Sequence, residues 1–251
     1  MLQNDIEDEN LGNFNMHISL CWEWDVAVAI NRSDYEIMKM YDANKHLAYI
    51  HDAVDLERYP LEGTTTDLGG SPTLISTDII RNNKNPAYYM WAMKKIHERL
   101  PAARLEVCSL PLSSIVTWRN IIMRASEPVL PNKIHPYFMV KDIRPLIRGA
   151  DIGCNTNVSG IPSRATLEQM ALGKPVISYS GEYTPYHAYA MDTSSIADAV
   201  CACWEDLEKD RQGVTERTRA YAEEHFNMDK AVAKFTKLYE GAGPEDILED
   251  K

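Results

Sequence analysis

Ser159-Gly-Ile-Pro-Ser-Arg-Ala-Thr-Leu-Glu-Gln-Met-Ala-Leu-Gly-Lys-Pro-Val-Ile-Ser178 reads as a loop, a short helix and a buried strand in succession. Pro162 and Ser163 suit a helix start, and Leu167, Met170 and Ala171 recur at i, i+3 and i+4. Gly173 suits the cap that ends such a helix, and the apolar run 175–178 follows as a strand. A helix N-terminus facing a loop favours anions, because its first N–H groups lack intrahelical partners and carry the positive end of the dipole. Gly160, Ile161, Pro162, Ser163 and Arg164 therefore frame a candidate phosphate cradle. Glu168, about a turn and a half into the helix, is placed to accept hydrogen bonds from a ribose diol.

Outward from this unit, apolar strand patterns alternate with helical ones. Strands are expected at 26–30, 47–50, 73–77, 104–108, 127–130, 151–154 and 175–178. Alternation of this kind implies parallel pairing through right-handed crossovers, hence a doubly wound α/β, Rossmann-like sheet. The helix after Pro86 carries Tyr89, Met93, Ile96 and Leu100 on one stripe, which assigns its aromatics to the core. Further helices are expected at 33–41, 194–207, 215–225 and 229–239, with Val232, Phe235 and Tyr239 sharing a face of the last. Residues 61–71 read as a loop, 1–15 as an acidic tail and 240–251 as a fraying end.

Four segments, in order, resemble one known family. Leu167-Glu-Gln-Met-Ala-Leu-Gly-Lys-Pro-Val-Ile177 is similar to the "LEAMACGKPVI" signature of retaining GT-B glycosyltransferases, the large family four that also resembles glycogen synthase. Tyr49-Ile-His-Asp-Ala-Val-Asp-Leu-Glu-Arg-Tyr59 resembles the "IPNGVDLERF" entry to the donor domain, Lys84-Asn-Pro86 the "KNP" helix, and Leu146-Ile-Arg-Gly-Ala-Asp-Ile152 the "YRAADV" strand entry. The resemblance covers roughly residues 25–240 and implies one GT-B half, the donor half, with a partial βα remnant of the other. On this reading 16–44 is the remnant, 45–228 binds a nucleoside-diphosphate sugar and 229–251 is a C-terminal helix and tail.

The resemblance also implies roles. Lys84 stands where the family places a lysine on the leaving diphosphate. The family's preceding arginine falls on Ile79, and Arg81 is the nearest substitute. Of two family glutamates eight positions apart, the ribose-binding one matches Glu168, whereas the sugar-binding one falls on Gly160. Catalytic residues on the acceptor side have no counterpart here, so none is assigned. The donor sugar is a substrate, and no cofactor is expected. Lacking its acceptor half, the chain is expected to meet a second copy or a separate acceptor-domain chain; a non-catalytic sugar-nucleotide-binding subunit, or a piece of a longer enzyme, is the alternative.

Composition narrows the field further. The net charge of -11 and pI near 5.1 over 251 residues lack the basic footprint of a general nucleic-acid binder. No apolar run is long enough to span a membrane, and the acidic start is not signal-like, so a cytoplasmic location is expected. Cys21, Cys108, Cys154, Cys201 and Cys203 follow no zinc or CxxC spacing and read as reduced thiols, with Cys201 and Cys203 on different sides of one helix. The seven histidines show no HxxxH or HExxH spacing and no DxD ends a strand, so no metal site is expected. His135 and Tyr137 follow the expected strand at 127–130 and read as loop residues. Residues 26–30, apolar without alternation, read as a strand buried on both faces yet left without its sheet, and so in need of a cover by a second copy, by a separate acceptor-domain chain or by docking on its own domain.

Overall fold

The computed structural model of the chain describes residues 26–41, 47–79, 83–108 and 140–247. They fall into two compact units, one within 54–225 and the other within 1–53 and 226–251.

The larger unit is built on four parallel strands, β3 (Thr73–Ser76), β4 (Arg104–Val107), β5 (Ile152–Cys154) and β6 (Val176–Ile177), in the order β4-β3-β5-β6. Leu74 lies opposite Leu105 on one side and Ile152 on the other, and Gly153 lies opposite Val176. Successive side chains on a strand face opposite ways, so the sheet needs cover on both sides. Leu74, Leu105, Val107, Ile152, Cys154 and Ile177 pack against α2 (Ala87–Arg99) and α5 (Thr193–His225). Ile75 and Cys108 face the other way, onto Leu146 and Ile147 of α3 (Arg144–Gly149) and Leu172. The unit is therefore a doubly wound α/β sheet with helices on both faces.

Local chemistry accounts for the helix that matters most. In α4 (Arg164–Ala171), Ser163 is the N-cap in extended conformation, and its Oγ accepts from the Thr166 N–H. Gly173 ends the helix with φ +68°, a conformation that suits glycine. The stripe of α2 is buried at Tyr89, Met93 and Ile96 as its spacing requires, and the Tyr89 hydroxyl donates to the carbonyls of Asn155 (3.0 Å) and Ile177 (2.8 Å). The two helices expected at 194–207 and 215–225 are both formed within α5, separated by a break in backbone angle at Asp210.

The smaller unit corrects the expectation of an unpaired strand. β1 (Ala27–Ala29) pairs in parallel with β2 (Leu47–Tyr49), and the Ile50 N–H extends the ladder to the Ala29 carbonyl at 3.0 Å. Tyr35 of α1 (Arg32–Tyr41) packs on Ala29 and Leu47, while Ile30 stays exposed, so the strand is not buried on both faces. An apolar run without alternation is met here by short length and partial cover. The apolar face expected of α6 (Met228–Tyr239) is formed but not enclosed: Val232 and Tyr239 are exposed and no residue of the helix is buried.

Cys201 and Cys203 are both buried, because α5 is covered on more than one side; Cys203 belongs to the main core. The four described cysteines are free thiols. The strand expected at 127–130 and residues Cys21, Arg81, His135 and Tyr137 lie outside the described residues. No helix among the described residues is long and apolar enough to cross a membrane.

Candidate functional site

The carboxyl ends of β3, β5 and β6 carry a connected set of polar side chains. In open α/β sheets this edge is where ligands bind. Asp78 follows β3, Asn155, Thr156 and Asn157 follow β5, and Ser178 follows β6; all five are buried.

Lys84 is held over this edge by backbone pairing. The Asn85 N–H donates to the Thr156 carbonyl and the Val158 N–H to the Asn83 carbonyl, both at 3.0 Å, and Lys84 faces Asn157 in an isolated antiparallel bridge. The loops after β3 and β5 are thereby laced together. The Lys84 ammonium donates to Asp78 Oδ1 at 3.1 Å, and the Thr156 hydroxyl donates to Asp78 Oδ2 at 3.0 Å. The Asp78 carboxylate is 3% exposed and the Lys84 side chain 24%, so a partly exposed cation rests on a buried counter-ion.

The loop into α4 is fixed from beneath. The Asn155 amide donates to the carbonyls of Gly160 and Ile161 at 3.2 Å each, the Asn157 amide donates to Ile161 at 3.1 Å, and the Tyr183 hydroxyl donates to Gly160 at 3.0 Å. With the Gly160 carbonyl turned inward, the N–H of Ile161 in the same trans peptide points the opposite way. Burial pushes the Tyr183 phenol well above its ordinary range, which keeps it a donor. The first N–H groups of α4, at Arg164 and Ala165, face out of the helix start beside this loop.

Gly160 itself is buried at φ +76°, and a Cβ there would lie 2.8 Å from Ser180 Cβ, 2.9 Å from Ser180 N and 3.0 Å from the Tyr179 carbonyl carbon. No side chain fits at this position. Glu168 is half-buried, and burial raises its pKa; a hydrogen bond from the Tyr59 hydroxyl and the charges of Arg164 and Arg58 pull the other way, while Asp78 adds to the rise. Tyr59 is raised in turn, first by burial and then by Glu168. Asp78 thus lies within electrostatic reach of both Lys84 and Glu168.

Seven of the eight expected site residues, Lys84, Gly160, Ile161, Pro162, Ser163, Arg164 and Glu168, thus lie around one sheet edge; Arg81 lies outside the described residues. Arg164 is exposed. Sequence reasoning passed over Asp78, Thr156, Asn155, Asn157, Tyr59 and Tyr183. An acidic residue directly after an apolar strand was the available signal for Asp78. Among the described residues no group of three or more histidine, cysteine or carboxylate side chains forms a metal centre.

No protein-family model matches the chain, and no curated protein sequence matches it. Solved structures do match. HepE of Anabaena, in complex with UDP and glucose, superposes with a TM-score of 0.75 at 13% identity, over 92% of this chain and 67% of that one. A glycosyltransferase of Rickettsia africae gives 0.72 at 15%, over 90% and 64%. Sucrose-phosphate synthase of Thermosynechococcus elongatus gives 0.75 at 14%, over 89% and 60%. The fold is that of one GT-B, Rossmann-like half, and the chain spans about two thirds or less of the length of these neighbours.

Proposed function

We propose that the chain is the donor-binding part of a retaining glycosyltransferase of family four, which takes a nucleoside-diphosphate sugar at the carboxyl edge of its sheet. Lys84 and the N-terminus of α4 hold the diphosphate, Glu168 accepts from the ribose, and the loop 160–163 lies against the phosphates with its N–H groups outward. The observation that carries this reading is the meeting of a partly exposed lysine, a helix start and a half-buried carboxylate around Asp78. Complexes of HepE with UDP and with UDP-glucose support a nucleotide sugar as the ligand class.

In the reaction the bond between the sugar's anomeric carbon and the diphosphate oxygen breaks, and its electron pair stays on the diphosphate. Positive charge at Lys84 and at the helix start stabilises that developing charge. An acceptor hydroxyl oxygen then bonds to the anomeric carbon on the face that the diphosphate left, and its proton passes to the departing diphosphate oxygen. Residues that activate the acceptor come from an acceptor domain, supplied by a second copy, a separate chain or a longer protein. The βα unit within 16–44 is read as a remnant of that domain, 45–228 as the donor domain and 229–251 as its C-terminal helix and tail. The free thiols fit the cytoplasmic location included in this reading.

One observation favours a second reading, a sugar-nucleotide-binding subunit without catalysis. The family's sugar-binding glutamate falls on Gly160, where the Ser180 backbone leaves no room for a side chain. Calorimetric titration against nucleoside diphosphates and their sugars, beside separate assays of donor hydrolysis and transfer, tests both. Binding with turnover supports the first reading, binding without turnover in the presence of an acceptor domain supports the second, and no binding overturns both.

A further inference from the structure

We infer that Asp78 moderates the charge selectivity of this site, weakening its hold on the free nucleoside diphosphate more than on the sugar ester and so easing release of the spent donor. The inference rests on the reading of Lys84 as a diphosphate ligand.

Asp78 is a buried carboxylate with two described partners, the Lys84 ammonium and the neutral Thr156 hydroxyl. If Lys84 swung away to a phosphate, that buried charge would be left, among the described residues, with the hydroxyl alone, a strongly unfavourable arrangement. Lys84 therefore keeps Asp78 and offers a ligand its remaining donors. A phosphate oxygen at an ordinary charge-assisted distance beyond the ammonium then lies within about 6 Å of the carboxylate. Lys84 is shared between two anions, and every additional negative charge on the ligand meets Asp78.

A free nucleoside diphosphate ends in a phosphate whose last proton leaves near pH 6, so at pH 7.5 it carries about one charge more than the sugar ester. Arg58 and Arg164 attract both ligands, and Glu168 repels both; Asp78 is the group that bears directly on Lys84. At an effective dielectric constant near 20, one extra charge about 6 Å from a carboxylate is disfavoured by up to about a hundredfold, and exposure of Lys84 with salt screening brings this to about tenfold.

The test measures UDP and UDP-glucose affinity by calorimetry, with ADP and ADP-glucose as a second pair, for the wild type and Asp78→Asn at pH 7.5. The amide keeps the shape of the side chain and removes its charge. The expected result is a gain for the free diphosphate about tenfold larger than for its sugar ester. Equal changes for both, or weaker binding of the free diphosphate, would overturn the inference while leaving the ligand class standing; binding of none of the four by the wild type would overturn the site itself. If Asp78→Asn does not fold, Asp78→Ser, which also removes the charge and leaves a hydroxyl beside Thr156, is read in the same way: a larger gain for the free diphosphate supports the inference, and an equal or smaller gain contradicts it.

Discussion

Replacing Gly160 by alanine should destabilise the larger unit by about 2–5 kcal/mol. Its φ of +76° costs a residue with a Cβ about 1–2 kcal/mol. The added methyl meets Ser180 Cβ, Ser180 N and the Tyr179 carbonyl carbon at 2.8–3.0 Å, and two of these are backbone atoms that no rotamer change can move. Overpacking of this kind adds about 1–3 kcal/mol. Gly181 is the control, since the nearest atom to a Cβ there is His187 Cβ at 3.9 Å; Gly181→Ala should stay within about 0.5 kcal/mol of wild type. Urea unfolding followed by tryptophan fluorescence measures both, and a drop in Tm of roughly 5–10 °C for Gly160→Ala is the thermal counterpart. Gly160→Glu, which would supply the carboxylate of the resembled family, should fare no better. A Gly160→Ala protein as stable as wild type would refute the packing argument and reopen position 160 to a side chain.

Four further outcomes concern Glu168, Lys84 and Lys174. Glu168→Ala should weaken nucleoside-diphosphate binding by about 1–3 kcal/mol without loss of folding, as calorimetry would show; because burial raises Glu168, its ionised form costs stability above the folded pKa and nothing below the unfolded one, so Glu168→Gln should be the more stable protein at pH 7 but not at pH 4. Lys84→Ala removes the counter-ion of buried Asp78 and should cost about 3 kcal/mol of stability, a loss that Lys84→Ala combined with Asp78→Asn should largely restore in urea melts. Burial pulls Lys174 down to about 8, its ammonium held on the Arg148 carbonyl at 2.8 Å, so the unfolded chain binds more protons between pH 8 and the ordinary lysine value. Stability should therefore rise with pH across that window, and the difference between Lys174→Met and wild type should change by about 3 kcal/mol between pH 7 and 10.5.

What could be read from the sequence was what local chemistry determines. Ser163 as a cap, Gly173 as a stop and the stripe of Tyr89, Met93 and Ile96 each depend on neighbours within a few residues, and each is in place. Strand partners are another matter. A three-residue apolar strand such as Leu47–Tyr49 carries no information on which strand it joins, and it pairs with Ala27–Ala29 apart from the main sheet. Periodicity likewise shows which residues of Met228–Tyr239 share a face, but not whether anything covers it; Val232 and Tyr239 are exposed. Asp78 escaped notice because its meaning depends on Thr156, 78 residues along the chain, and on the lacing of two loops that turns Lys84 toward it. Gly160 was legible as a departure from a family pattern. Its reason, the Ser180 backbone lying against it, belongs to tertiary structure alone.

The central claim is that a nucleoside-diphosphate sugar binds where the loop 157–163, the start of α4 and Lys84 meet. Amide hydrogen exchange with and without saturating UDP-glucose tests it most directly. The account predicts new protection at Ile161 and at Arg164–Ala165, with smaller changes around 83–85, and the loss of that protection in Glu168→Ala at the same ligand concentration. Binding that leaves these amides unchanged while protecting another part of the chain would contradict it.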